Sequence, residues 1–346
     1  MQAAIISGRE KLELRDFPDP EPAREGVVVE VRYCGICGTD VHAYAGGHPY
    51  PPELCGHEWA GRVSKVGAEV EALREGDRVS VGVLPPCGEC RECRAGHPAW
   101  CQRAMSGQGG GDPCGSPHGG FASSIAASAA RVVAVPDALS DEAAAQVEPA
   151  TVTYHGVRRS GLRLGDLAVV QGAGPIGLLT LQWALAAGAR EVVVVEPSPE
   201  RRTLAAELGA SLACEPGEEA HQAVRERNGG LGADCVFECV GRPETIQSAA
   251  DFARRGASLA LIGLSHQDAS IHPTSWLVKE LSVTGCIAYE RAEFARCMEI
   301  MADGRVDAEP LHTRSVGLGE LDAVFAELAG GSVRESKVLV DPRGLS

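Results

Sequence analysis

The stretch LAVVQGAGPIGLLTLQWALAAGA, residues 167–189, decides the fold. A short apolar run enters GAGPIG (172–177), and a long apolar segment leaves it. Gly172, Gly174 and Gly177 have the GxGxxG spacing. The first glycine permits a tight turn, the second lets backbone approach a pyrophosphate, and the third lets helix and strand pack closely. Pro175 and Ile176 lie inside this fingerprint. The helix that follows turns unpaired N–H groups toward the phosphates. The chain has 42 glycines, so the spacing alone also fits a glycine-rich turn in another α/β sheet. Its position between a strand and a helix argues for a dinucleotide.

The next strand-like run, VVVV, ends in Glu196, 19 residues beyond Gly177. An acid there accepts both hydroxyls of an adenosine ribose and repels a 2'-phosphate, which favours NAD over NADP. Arg201 and Arg202 follow closely and could soften that preference. Arg201 could instead contact the ribose or pyrophosphate. Further along, ADCVFECVG (233–241) and ASLALIGL (257–264) read as strands. Cys239 and Gly263, near their ends, are further cofactor-side candidates. Strand and helix alternate through this region, which builds a parallel sheet.

Before residue 140 the pattern is different. VVVEVRYCG (27–35), EWAGRVSKVG (58–67), DRVSVGV (77–83) and ARVVAVP (130–136) are short apolar or alternating runs cut by Gly, Pro and Asp. They predict a β-rich domain with long loops. LSDEAAAQVE (139–148) opens a helix on a Ser cap with acids in its first turn. The tail from about residue 288 is mixed: two helical segments and a strand, SKVLVDP (336–342).

Composition narrows the class. The 346 residues suit two domains, and 44% hydrophobic content is that of an ordered chain. A net charge of -15 disfavours nucleic acid and anionic membrane as partners. There are four lysines, Lys11, Lys65, Lys279 and Lys337, and the other 28 basic residues are scattered arginines. No apolar run reaches the roughly 18 residues of a membrane span. The N-terminus carries charge where a signal peptide would be apolar, so a cytoplasmic location is expected.

Thirteen cysteines, unevenly spaced, suggest metal ligands and buried thiols. Cys87, Cys90, Cys93 and Cys101 fit a closed tetrahedral zinc site, with an iron–sulfur cluster as the rival. Arg, Glu and Gly surround them, which argues against chance clustering in a core. A second group is CGICGTDVH (34–42) followed by GHE (56–58). Cys37, His57, Glu58 and the distant Glu148 have the composition of an open, catalytic zinc site. Cys34 and Cys55 are rival ligands. A Cys–His protease is another reading, but it leaves the glycine fingerprint unused.

Taken together, these motifs resemble the zinc-dependent medium-chain dehydrogenase/reductases nearly end to end. GHE with Gly61 after it, the four-cysteine lobe, GAGPIG and the acid after the second strand occur in the family's order. The resemblance implies an α/β architecture: a GroES-like β-rich catalytic domain (1–150, completed by 288–346) and a doubly wound Rossmann cofactor domain (151–287). Zinc and nicotinamide would meet in the cleft between them. Cys37 and His57 would ligate catalytic zinc, Glu58 would ligate it or order its surroundings, and Glu148 would take the place of a third cysteine. The resting ligand could be either carboxylate. The lobe would hold a second zinc. Thr39 would accept the substrate proton, and His42 would be the outer base, reached through cofactor ribose hydroxyls. Asp40 would brace the loop, orient His57, or cap a helix.

Glu148 in the third-cysteine place resembles the polyol, butanediol and threonine dehydrogenase branch. A secondary alcohol, diol, polyol or cyclitol is therefore the expected substrate, oxidised to the ketone with NAD. Threonine dehydrogenases carry a histidine where this chain has Leu84, which weakens that alternative. An NADP-dependent carbonyl reductase, a glutathione-linked dehydrogenase and an inactive cofactor-binding protein are further alternatives. Tyr44, His155, Tyr289 and Glu290 are pocket candidates, each with a plain packing role as its rival. His48, His97 and His118 read as surface residues, and Trp100 as a cover for the lobe. Cys114, Cys214, Cys235, Cys239, Cys286 and Cys297 read as small buried groups. A homodimer or homotetramer is expected.

Overall fold

The computed structural model describes residues 1–47, 49–82, 86–105, 112–331 and 335–344. His48 and Leu84 lie outside the described residues. The chain forms two compact units. The first comprises Met1–Glu148, Tyr289–Ala302 and His312–Ser346; the second comprises Pro149–Ala288 and Asp303–Leu311.

The first unit is β-rich. Its main sheet runs His312–Val316, Lys337–Val340, Gly26–Gly35, Glu58–Val66, Arg78–Val81 and Val132–Ala134, and Ser124–Ser128 also pairs with Gly26–Gly35. All pairings are antiparallel except the first, which is parallel. Val27, Val29 and Val31 point one way from the central strand and are fully buried. With Trp59, Phe121 and Phe325 they form the core of this unit.

The register of the two central strands matters for chemistry. Gly35 pairs with Glu58, so the turn after Gly35 emerges beside the start of the next strand. That turn leads into the helix Gly38–Gly46.

Two elements here were not legible in the sequence. Gln2–Gly8 and Lys11–Asp16 form an N-terminal hairpin, with Ala3, Ala4, Ile5 and Ile6 buried. The polar segment His312–Val316 is an edge strand.

The second unit carries a six-stranded parallel sheet. Its order is Leu212–Cys214, Glu191–Val195, Leu167–Gln171, Ala233–Glu238, Ala253–Leu261, Ser282–Gly285. In chain order that is 3-2-1-4-5-6, the doubly wound arrangement. All five residues of Leu167–Gln171 are buried. The helix Pro175–Ala186 is apolar on nearly every side because most of it is buried. Among the described residues, no helix is long and apolar enough to cross a membrane.

Candidate active site

Cys37 is the N-cap of the helix Gly38–Gly46. The Thr39 N–H donates to its sulfur at 3.4 Å, and the Cys37 N–H donates to Asp40 at 3.2 Å. This reciprocal cap fixes the thiol at the helix start. His57 reaches the same place from the turn before Glu58–Val66. Its Nδ1 lies 3.2 Å from the Leu54 carbonyl, which only accepts, so Nδ1 carries the proton and Nε2 is left for a metal. Asp40 Oδ1 lies 3.7 Å from His57 Nδ1 and accepts from the Tyr50 hydroxyl at 2.9 Å. Asp40 is fully buried, so it both caps the helix and backs the imidazole.

Ligand atoms of Cys37, His57 and Glu58 all lie within 4.8 Å of one another. Glu58 is buried, and Lys337 forms an ion pair with it. Lys337 Nζ also donates to the Ile36 carbonyl at 3.0 Å. Sequence reasoning missed this lysine. The available signal was one of only four lysines opening an apolar strand whose residues are all buried.

Glu148 is not within the tight three-residue group, but it interacts with His57, Glu58 and Lys337. Burial, then the charge of Glu58, push its pKa up to about 7, against the opposing pull of His57 and Lys337. Burial works against protonated His57, yet Asp40, Cys37 and Glu148 raise its pKa well above the ordinary value. Burial likewise opposes the Lys337 ammonium, and Glu58 and Cys37 outweigh it. Four potential anions thus face one ammonium and one imidazole. A thiol, an imidazole and a carboxylate converging in such a setting fit a divalent metal.

The other residues sort themselves by burial. Thr39 is half-buried and His42 exposed, three positions apart on one helix and so on one face. Tyr289 is buried, and its hydroxyl makes no hydrogen bond of good geometry, although Glu148 is near enough to act on it. Glu290 is half-buried, and its N–H donates to Glu293 at 2.7 Å. His155 is buried on the helix Val147–Arg159. Tyr44 is core: it packs on Phe325, and its hydroxyl lies 3.4 Å from Asp322. His118 is a correction, since it is buried against Phe17 with Nδ1 2.9 Å from the Gly119 carbonyl. Cys114, Cys214 and Cys239 are only partly buried, unlike Cys235, Cys286 and Cys297. Cys34 and Cys55 are buried, and the Ile6 N–H donates to Cys55 at 3.5 Å.

In the lobe, the sulfurs of Cys87, Cys90, Cys93 and Cys101 lie within 4.8 Å of one another. The Cys90 N–H donates to Cys87, the Cys93 N–H to Cys90 and the Cys87 N–H to Cys101, at 3.3–3.5 Å. Four convergent thiols held by backbone donors fit a tetrahedral metal. Trp100 packs against the exposed His97 ring, with centroids 4.6 Å apart and planes tilted by 34°, and is itself half-exposed.

In the second unit, the glycine turn is built as its spacing requires. Gly172 has φ +90°, and a side chain on Gly177 would collide with the Gly172 carbonyl. Nothing lies within 4 Å of where a Gly174 side chain would be, which leaves the approach open. Pro175 begins the helix, and no side chain caps it. Glu196 is buried and accepts from Ala173 N at 2.7 Å and Ser198 N at 2.9 Å, so it braces the turn itself. Arg202 donates to the Glu196 and Pro197 carbonyls at 2.8 and 2.7 Å and to Glu215 at 2.9 Å. The turn fits a dinucleotide pyrophosphate.

Comparison with known proteins agrees with both units. Residues 23–137 match the alcohol dehydrogenase GroES-like domain, and residues 175–303 match the zinc-binding dehydrogenase family. The chain is 33% identical to (R,R)-butanediol dehydrogenase of Bacillus subtilis, over 99% of this chain and 100% of that one. It is 30% identical to human sorbitol dehydrogenase, over 98% and 95%. It superposes with a TM-score of 0.86 on a zinc-binding dehydrogenase structure from Sinorhizobium meliloti bound to NADP, 30% identical over 99% of each chain. The chain belongs to the zinc-dependent, alcohol dehydrogenase-like medium-chain dehydrogenases. It is an oxidoreductase of the alcohol dehydrogenase type, using zinc and a nicotinamide cofactor.

Proposed function

We propose that the protein oxidises a secondary alcohol, vicinal diol or polyol to the ketone, with NAD as acceptor. The observation that carries this reading is the convergence of Cys37, His57 and Glu58 in the first unit. These three residues would hold the catalytic zinc, with Glu148, which interacts with His57 and Glu58, as the alternative carboxylate ligand. When bound, zinc supplies a Lewis acid that makes an alcohol proton easier to remove, and nicotinamide supplies the hydride acceptor. Thr39 would accept that proton, and His42, exposed on the same helix face, would release it to solvent. Asp40 would hold the ring of His57. Tyr289, with a buried hydroxyl and no good partner, would orient a second substrate oxygen. Butanediol and sorbitol dehydrogenases among the relatives support a substrate with more than one hydroxyl.

The first unit is then the catalytic domain and the second the cofactor domain. Gly172, Gly174, Pro175, Ile176 and Gly177 would cradle the pyrophosphate, with Arg201, Cys239 and Gly263 near the cofactor. Glu196 would accept the ribose hydroxyls. Arg202 is engaged with carbonyls and Glu215, so it offers little to a 2'-phosphate, and this favours NAD. Cys87, Cys90, Cys93 and Cys101 would hold a second, structural zinc. A cytoplasmic location would keep these cysteines reduced for metal binding. Leu277, Val278 and Ile287 are exposed beside the edge strand Ser282–Gly285, a surface that a second copy in a homodimer or homotetramer would cover.

The test is a set of initial rates with NAD and NADP against primary alcohols, vicinal diols, sugar alcohols, cyclitols and threonine. Metal is counted on the same preparation. A rate confined to primary alcohols or to threonine would overturn the substrate class. A preference for NADP would overturn the cofactor assignment.

A further inference from the structure

The strand order of the second unit reverses between Leu167–Gln171 and Ala233–Glu238. Ligands of such sheets bind outside the carboxyl ends of the strands at this reversal. Gln171 and Glu238 are the last residues of the two strands and pair in register. Their exposures are 3% and 0%.

Glu238 gathers the chain around it. Its Oε1 accepts from Val240 N at 2.9 Å, Gly241 N at 2.9 Å and the Thr245 hydroxyl at 2.8 Å. Its carbonyl accepts from Ile262 N and Gly263 N, both at 2.9 Å. The turn so held lies against the glycine fingerprint: a side chain on Gly172 would meet Val240 at 2.8 Å. On the other side, a side chain on Gly263 would meet Val240 N at 2.8 Å and Glu238 Oε2 at 2.7 Å. Three strand-end turns, 172–174, 239–241 and 262–264, therefore touch around one buried carboxylate.

We propose that Glu238 is a positioning residue for the nicotinamide cofactor. It makes no contact with the reacting atoms. It fixes the Cys239–Gly241 turn against the glycine turn, and so sets cofactor affinity more than the rate of the chemical step. The proposal rests on the reading of the second unit as the cofactor domain.

The test compares full-length wild type, Glu238→Ala, Glu238→Gln and Thr245→Val by NADH titration and by steady-state kinetics. Three hydrogen bonds to one carboxylate oxygen correspond to roughly a tenfold or larger rise in NADH Kd and in KM for NAD when removed by alanine. The kcat at saturating NAD should stay within about twofold, since only binding is altered. Glutamine keeps a carbonyl oxygen for the same N–H groups and should recover binding to within about threefold. Thr245→Val loses one of the three bonds to Glu238 together with the hydroxyl's contacts to Arg242 O at 2.8 Å and Arg242 N at 3.2 Å, and should weaken binding about threefold. A folded alanine variant that binds NADH like wild type overturns the proposal. So does a glutamine variant as weak as alanine, which would mean that charge alone matters. If the alanine variant does not fold, an unchanged Kd in Thr245→Val overturns it. Wild type that binds neither NADH nor NADPH would instead overturn the cofactor-domain reading, and this proposal with it.

Discussion

Lys337 and Glu58 form a buried ion pair between residues 279 positions apart, next to Ile36 in the turn that carries Cys37. Their side chains are 3% and 1% exposed. Gly35 leaves the space they occupy, since a side chain there would lie 2.8 Å from Lys337 Cε. Replacing Lys337 with Met strands a buried carboxylate. The expected cost is about 3–5 kcal/mol of unfolding free energy, measured by denaturant titration. The double variant Lys337→Met, Glu58→Gln should recover much of that loss. The lysine pKa is raised on folding, so its contribution is complete below the unfolded value and fades only as pH rises through the folded one. The deficit of Lys337→Met should therefore stay level from neutral pH to about 10. A deficit that disappears by pH 8, or a single variant as stable as wild type, would contradict the pair's role.

Cys37→Ala removes a sulfur that caps a helix and stands in the three-residue donor group. The lost cap should cost about 1 kcal/mol, which the unit tolerates. Metal analysis should show about one zinc fewer per chain, and kcat/KM should fall roughly a thousandfold or more if a Lewis acid is lost. A variant with full activity would remove Cys37 from the candidate site.

Cys90→Ala acts elsewhere. Cys90 caps the short helix Arg91–Arg94 and accepts the Cys93 N–H. The lobe has few apolar residues, so its order depends on the metal. Limited proteolysis should cut within 87–101 much faster in the variant, with one zinc lost. The soluble, folded fraction should keep its specific activity within about fivefold, because a closed site has no open position for substrate. A protease-resistant variant with full metal content would show that the lobe folds without the site.

The contrast among these residues shows what sequence carries. The glycine fingerprint and the four-cysteine lobe are local: turn geometry and metal spacing act over a few residues, and their composition displays them. The parallel sheet was legible because Leu167–Gln171 and Glu191–Val195 are apolar runs buried on both faces. Glu58 and Lys337 are different. Glu58 stands out beside His57, but Lys337 looks like an ordinary surface charge, and only the pairing of two distant strands with Gly26–Gly35 brings them together. His118 sits in a glycine- and serine-rich loop that reads as exposed, yet the loop folds over Phe17 and buries it. The N-terminal hairpin was hidden because charged residues on Lys11–Asp16 dilute the apolar run Ala3–Ile6. Tertiary pairing decided each of these, and no local pattern encodes it.

Glu196 braces the glycine turn, and the proposed function gives it a second task that one substitution separates from the first. Its carboxylate braces Ala173 and Ser198, and a carboxylate has further lone pairs for ribose hydroxyls. Glu196→Ala should therefore weaken NAD binding about tenfold or more. NADP loses the repulsion between its 2'-phosphate and the acid, so its binding should change less, and the NAD-to-NADP ratio of kcat/KM should narrow. Arg202 should not add to NADP binding, because the Glu196 and Pro197 carbonyls that hold it survive the substitution. Kinetics with both cofactors decide the matter. If both affinities fall by the same factor, the acid serves the turn alone, and Glu196 does not discriminate between the two cofactors.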